Sequence, residues 1–376
     1  MNGMQILEGV IEIVLSLVTG FLVFYFSLKI FMLLTRTIDE QKELKKKNAA
    51  VAVVLLAFIL ALVIMVNKSV EPAMTTLTTL FANENPAGGE VVVDILRIIV
   101  IYAVSGAVAL LLLWIGISVY TGLTTRIDEM AELKKSNLAV GILFATFIFS
   151  AGYICMGPLS TLLAAFVPQR SLLNAGVASK FINLNFLIQG LIELPLALIG
   201  TIFAYFLGVR LSDLMTGTIN ETAELKKNNV ASAIYTASSL FSLMYLVNEA
   251  TLKPLYETLN HQVAYSPASG AVEIAERGDF FLTIVLIPVF FIVTGAVALL
   301  LTRAAQAVFM FLTKDIDEMK EVKKNNVAIA LILAAVTISI VIFVAHGVSV
   351  AAQGVLPRLQ SPDAGGLKLP PLPKMK

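Results

Sequence analysis

The chain has 376 residues, of which 58% are hydrophobic and 14% charged, with a mean hydropathy of +0.87. A water-soluble domain cannot hide that much apolar surface, so the composition is that of an integral membrane protein whose first partner is the lipid bilayer. A net charge of +1, with Lys and Arg interspersed among acids, leaves no basic face for nucleic acid, and the single cysteine, Cys155, excludes an internal disulfide framework and any multi-cysteine metal site.

Hydrophobic stretches of 18 or more residues run over 6–34, 49–66, 95–124, 138–156, 181–209, 230–247, 280–312 and 327–345. Each is long enough to cross a hydrocarbon core of ~30 Å as a helix. The expected fold class is therefore all-α: a polytopic membrane protein with eight transmembrane helices in four helical hairpins, built as a duplicated four-helix unit. The first stretch lacks a basic n-region and a small-residue cleavage site and carries Glu8 and Glu12, so it reads as a retained helix and not as a secretory signal.

The first hairpin turn reads IDEQKELKKKN at 38–48. Nearly the same string returns as IDEMAELKKSN at 127–137, INETAELKKNN at 219–229 and IDEMKEVKKNN at 316–326. Each string stands between two spans, so all four lie on one side of the membrane. Sixteen of the 27 Lys and Arg fall in the turn regions 35–48, 121–137, 210–229 and 303–326. The positive-inside rule then makes the turns cytoplasmic and both termini extracytoplasmic. The repeats divide as 1–68, 69–167, 168–250 and 251–355, with outer connections at about 67–94, 157–180 and 248–279.

Within the strings, Thr37 with Glu40, Thr218 with Glu221 and Asp315 with Glu318 read as capping boxes, and Arg126 breaks the pattern in the second repeat. Glu43, Glu132, Glu224 and Glu321 each stand three residues before a Lys, an ion-pair spacing on a helix. Read as one continuous helix, positions four apart form a stripe: Glu40, Leu44, Asn48, Ala52; Glu129, Leu133, Asn137, Gly141; Glu221, Leu225, Asn229, Ala233; Glu318, Val322, Asn326, Ala330. Two residues beyond each Asn stands an Ala. Small residues let helix backbones approach and an Asn supplies an interhelical hydrogen bond, so the stripe is either the packing seam of the repeats or a ring of Asn and Glu lining a cytoplasmic vestibule.

The odd repeats carry charge in their first helix, Glu12 with Lys29 and Glu193 with Arg210. The cations can snorkel. The two Glu belong at or just inside the outer boundary, as interface residues or as carboxylates that collect a cation or proton. The second helix of repeat three, VASAIYTASSLFSLMYLV, sets Ser232, Thr236 and Ser239 along one face, with Ser238 and Ser242 beside it. These hydroxyls either bond back to their own helix or line a wet path from Glu193, where Pro195 permits a kink. The two histidines, His261 and His346, have no HExxH or cysteine partner, and neither a phosphate loop nor a Gly-x-Ser-x-Gly elbow is present. No catalytic constellation or cofactor is expected. The segment 356–376, rich in proline, reads as a flexible or polyproline II tail.

Repeats one and three align without a gap, EGVIEI at 8–13 answering QGLIEL at 189–194; repeats two and four do so through SGAVALLL at 105–112 and TGAVALLL at 294–301. Copies with an even number of spans keep one orientation, about an axis along the membrane normal, with approximate fourfold pseudosymmetry.

Glu, Leu, Lys-Lys, Asn and Ala at this spacing, in tandem two-helix units, resemble the bacterial inner-membrane family known as domain of unknown function 350. Its members commonly have Gly before the Asn, where this chain has Lys47, Ser136, Asn228 and Asn325. The resemblance implies an inner-membrane location and this architecture and supplies no chemistry; relatives encoded near envelope-stress or polyamine genes imply envelope partners. Two function classes remain. The first is a small-solute or ion pathway through Glu12, Glu193, Ser232, Thr236 and Ser239. The second is a non-catalytic scaffold recruiting cytoplasmic proteins through the charged turns, and homo-oligomers fit either class.

Overall fold

The computed structural model describes residues 9–355 other than 11–12, 15–16, 23–24, 26–28, 30, 32–37, 82–87, 125–126, 169–181, 217–220, 267–270, 275–276 and 314–316. Glu12, Thr37, Arg126, Thr218, Asp315 and the proline-rich tail lie outside the described residues. Seven described helices are long and apolar enough to cross a membrane: Ala49–Leu80, Val91–Gly122, Leu138–Ala164, Leu184–Gly208, Val230–Asn260, Phe281–Phe311 and Val327–Gly354. The protein is an all-α polytopic membrane protein. The count of eight rests on the first expected span, whose described residues are helical and whose Phe31 packs edge-on against Phe58.

In chain order the elements are α1 Glu40–Lys45, α2 Ala49–Asn67, α3 Val70–Phe81, α4 Gly88–Leu123, α5 Glu129–Lys134, α6 Leu138–Ala164, α7 Leu184–Thr216, α8 Glu221–Lys226 and α9 Val230–Val247. A π-helical turn at Asn248–Leu252 then leads into α10 Lys253–Gln262, the strands β1 Val263–Ser266 and β2 Ala271–Ile274, α11 Arg277–Leu312, α12 Glu318–Lys323 and α13 Val327–Val355. The antiparallel pair β1 and β2 is the one sheet among the described residues, and it brackets the expected turn YSPASGA.

Two outer connections are more ordered than the hydropathy implies. The stretches 67–94 and 248–279 hold α3, the start of α4, the π-turn and α10. Hydropathy falls where charge and hydroxyls begin, but backbone hydrogen bonds do not stop there, and Thr75, Thr76 and Thr79 bond carbonyls of their own helix. Pro158, Pro195 and Pro288 likewise sit inside continuous helices. In a bundle, the backbone groups freed by proline are tolerated where neighbouring helices cover them.

The second arms of the hairpins form a row in which α2 packs on α6, α6 on α9 and α9 on α13. A second layer lies along it: α4 sits against α2 and α6, α7 against α6 and α9, and α11 against α9 and α13. The first arms of repeats two, three and four thus each fill the groove between their own partner and the preceding repeat. The arrangement is an open row and not a closed fourfold ring, because the outer faces of α2 and α13 stay uncovered, as described below.

Candidate functional site

The hairpin turns do not continue as one helix, so the stripe expected from the sequence is broken. Each short helix ends at its Lys pair, and the next residue is left-handed: Lys47, Ser136, Asn228 and Asn325 have φ of 62, 60, 58 and 62°. For an L-residue this conformation costs about 1–2 kcal/mol, which glycine avoids. The seam Asn then takes an extended conformation and caps the following long helix. The short helices are capped by Asp39, Asp128 and Asp317, which accept from the N–H groups of Lys42, Ala131 and Lys320 at 3.0, 3.0 and 3.1 Å. The working cap therefore lies two residues past Thr37 and Asp315, and it is present in repeat two as well.

A glutamate clamps each turn. Glu43 accepts from Lys46 Nζ at 2.7 Å and Asn48 Nδ2 at 2.9 Å; Glu132 from Lys135 and Asn137; Glu224 from Lys227 and Asn229; Glu321 from Lys324 and Asn326. Lys46 and Asn48 hold the Glu43 carboxyl below its usual range, and Asn229 and Lys227 do the same for Glu224. The Asn carbonyl oxygen accepts from helix N-terminal amides, such as Val51, Val140 and Ser232.

The second N–H of the Asn amide reaches the next repeat. Asn48 donates to the Leu133 carbonyl at 2.8 Å, Asn137 to the Leu225 carbonyl at 2.9 Å, and Asn229 to the carbonyls of Val322 and Lys323 at 3.1 and 3.2 Å. A return bond completes the last two seams. Asn228 Oδ1 accepts from Ala139 N–H and Asn325 Oδ1 from Ala231 N–H, both at 3.0 Å. At the first seam the left-handed residue is Ser136, and Asn48 itself accepts from Ala50 N–H as well as Val51 N–H. The left-handed Asn in repeats three and four thus does what glycine cannot, since its side chain supplies an acceptor to the preceding helix.

Small residues bring the backbones together beneath these bonds. A Cβ on Gly141 would stand 2.9 Å from the Ala50 carbonyl oxygen, and one on Gly152 would stand 2.7 Å from the Ala61 Cβ. Of the Glu that open the short helices, Glu40, Glu129 and Glu318 are buried, and α8 begins at Glu221. Thr313 donates to Glu318 at 3.3 Å, and Thr124 bonds Glu129, whose carboxyl burial pushes up to about 7. The other Glu129 oxygen is buried without a partner. A Thr stands five residues before each of these Glu, at 35, 124, 216 and 313, and that fixed offset was the sequence signal for the contact.

Glu193 is buried on α7, where it accepts from Asn260 Nδ2 of α10 at 2.7 Å and from the Thr161 hydroxyl of α6. Arg210 is exposed and lies over the Phe206 ring. Ser232 and Thr236 are buried and Ser239 half-buried on α9; Ser238 bonds its own helix at the Tyr235 carbonyl, while the hydroxyls of Thr236, Ser239 and Ser242 are buried without partners. Glu193 and these hydroxyls are not brought together. Glu193 lies level with Asn260, and Ser239 is about 30 Å back along that helical rod at 1.5 Å per residue.

Three polar groups escaped the sequence reading. Asp94 and Arg97 form a buried pair on α4, at the edge where the span was expected to begin. Glu249, on the π-helical turn, accepts from Tyr153 at 3.0 Å and from Lys253 at 2.7 Å. Both sites pair a carboxylate with a near neighbour in sequence, at spacings that hydropathy windows average away.

A family model described as Domain of Unknown Function (DUF350) matches the chain four times, over residues 5–96, 94–179, 186–268 and 279–359. No curated protein and no solved structure matches it.

Proposed function

The chain belongs to the family described as Domain of Unknown Function (DUF350), and from that premise we propose that it is a non-catalytic platform in the inner membrane, its four locked hairpins presenting a line of charged turns to cytoplasmic proteins. The observation that carries this reading is the seam. The Asn amides of the first three repeats are spent on holding one repeat to the next and the clamping Glu on holding its own turn, while the Lys side chains remain exposed. With the Asn and the clamping Glu engaged in this way, the spacing of the exposed cations becomes a fixed property of the row. The Lys bias of the turns supports their cytoplasmic placement.

Permeation of a small solute or ion is the second reading, and the buried Glu193 carboxyl with Asn260 and Thr161 favours it. The gap between Glu193 and the α9 hydroxyls weighs against it. Purified protein in liposomes separates the two. The platform leaves leakage of protons, monovalent cations and polyamines at the level of empty liposomes, and a photocrosslinker at Lys134 or Lys226 captures one and the same cytoplasmic protein, lost when the charges at 219–227 are neutralised. A flux that falls in Glu193→Gln would overturn the platform and establish permeation.

A further inference from the structure

The seam interface is used three times within the chain, and both of its halves are left over at the ends. Two, six, thirteen and seventeen residues past the seam Asn lie Ala50, Val54, Ala61 and Met65 in repeat one, Ala139, Leu143, Ser150 and Ile154 in repeat two, and Ala231, Tyr235, Ser242 and Leu246 in repeat three. All twelve are buried. Their counterparts in repeat four are Ala328, Ile332, Ser339 and Phe343, and all four are exposed, Phe343 at 85% against 0% for Met65, Ile154 and Leu246.

The receiving face shows the converse. Gly141, Ala145 and Gly152, then Ala233, Ala237 and Met244, then Ala330, Ala334 and Val341, are buried against the preceding repeat. In repeat one the same positions are Ala52, half-buried, Leu56 at 54% and Val63 at 43% exposure. The seam bond is open at both ends as well. Leu44 is 42% exposed where Leu133, Leu225 and Val322 are at most 4%, and among the described residues its carbonyl receives no Asn amide. Asn326 bonds Glu321 and the amide of Ile329, and among the described residues it makes no bond to another repeat.

Apolar exposure alone is ordinary in lipid. What distinguishes these faces is that they are the two halves of one interface. Ala328 and Ser339 repeat the Ala and Ser of repeats two and three, and Ala52 and Val63 repeat the Ala330 and Val341 of repeat four. We propose that repeat four of one copy docks on repeat one of a second copy in the same orientation, Asn326 donating to the second copy's Leu44 carbonyl and α13 lying along its α2. At about 100° per residue the donating and receiving faces lie on roughly opposite sides of the helix. The contact is therefore head-to-tail and continues as a line in the membrane plane instead of closing on itself. Leu56 stands where the other repeats have Ala, and Lys47 offers no acceptor to Ala328 N–H, so this seam is looser than the internal ones and assembly depends on protein density.

The test uses full-length chains in native membranes on a Cys155→Ser background. Chains carrying only Ala328→Cys and chains carrying only Ala52→Cys, differently tagged, are co-expressed and oxidised. The chain with both Ala231→Cys and Ala330→Cys is the internal control for folding and for reach, because the equivalent Gly141 and Ala50 Cβ positions are 3.1 Å apart. The proposal expects a disulfide-linked pair containing both tags, more abundant at higher expression and reduced several-fold by Asn326→Ala. A pair formed within either single-cysteine chain alone would mean a symmetric back-to-back contact and overturn it. So would the absence of any mixed-tag pair while the internal control crosslinks.

Discussion

The Asn that caps the second arm of each hairpin carries three tasks: it closes the helix N-terminus, it satisfies the clamping Glu, and at three of its four occurrences it donates across the seam. Removing the amide of Asn229 leaves the Val322 carbonyl and the Glu224 carboxylate without it, at a cost of about 1–3 kcal/mol. Asn229→Leu should therefore lower the melting temperature of dilute protein in detergent more than Asn326→Leu, which breaks no seam within the chain; equal losses would mean that the cap alone matters. The left-handed residues give a second contrast: Lys47→Gly should stabilise by relieving backbone strain, whereas Asn228→Gly forfeits its bond to Ala139 and gains little. Burial lifts Glu129 from 4.5 to about 7, with Thr124 opposing and Asp128 reinforcing the shift. Since its folded value is the higher one, the fold prefers the neutral carboxyl, and stability falls as pH rises from 4.5 through 7. Glu129→Gln should accordingly stabilise at pH 8 by up to about 3 kcal/mol and change little at pH 4.5; a pH-independent difference would rule out the titration. The Asn, the Glu and their spacing were legible in the sequence, but the break between the two helices was not. A left-handed turn is usually announced by glycine, and Lys, Ser and Asn at that position concealed it.

At the scale of elements, long apolar runs named the seven described spans, and their ends were misjudged wherever a helix outlasts its hydropathy. The extensions α3, with its Thr and Glu, and α10, with its Lys, Glu, Asn and Gln, carry polar residues that end an apolar window without breaking a helix. Which helices touch was legible only as small residues at a fixed offset from the Asn. The meaning of that offset depends on pairing α2 with α6, which no single helix reveals. Two glycines of α6 expose the difference. Gly157 has open space around it, so Gly157→Ala should stabilise by about 0.5–1 kcal/mol through helix propensity. Gly152 lies against Ala61, so Gly152→Ala should destabilise by about 1–3 kcal/mol through overpacking. Thermal unfolding in one detergent checks the opposite signs, and a shared sign would mean that α2 and α6 do not pack closely at Gly152.

For the whole molecule, the fourfold similarity of the turns was plain in the sequence, but similarity does not distinguish a ring from a row. That distinction lies in the angle between the donating and receiving faces, and it became visible through the burial of three repeats and the exposure of the fourth. The Lys and Arg bias predicts an orientation that can be checked: with cytoplasmic turns, cysteines at Gln41 and Lys320 should resist an impermeant thiol reagent in intact cells and one at Ser361 should react, while the reverse pattern would invert the topology. The Asn seams hold the hairpins in an open, rigid row. Spin-label distances between turns, measured on magnetically dilute protein with labels at Gln41, Met130, Thr222 and Met319, test it directly. Neighbouring helices lie about 8–10 Å apart, so the row predicts narrow distributions in which the first-to-fourth distance is roughly three such steps and far exceeds the distance between adjacent turns. A first-to-fourth distance equal to the adjacent one would mean a closed ring, and broad distributions unchanged by Asn229→Leu would mean that the seams do not hold the row at all.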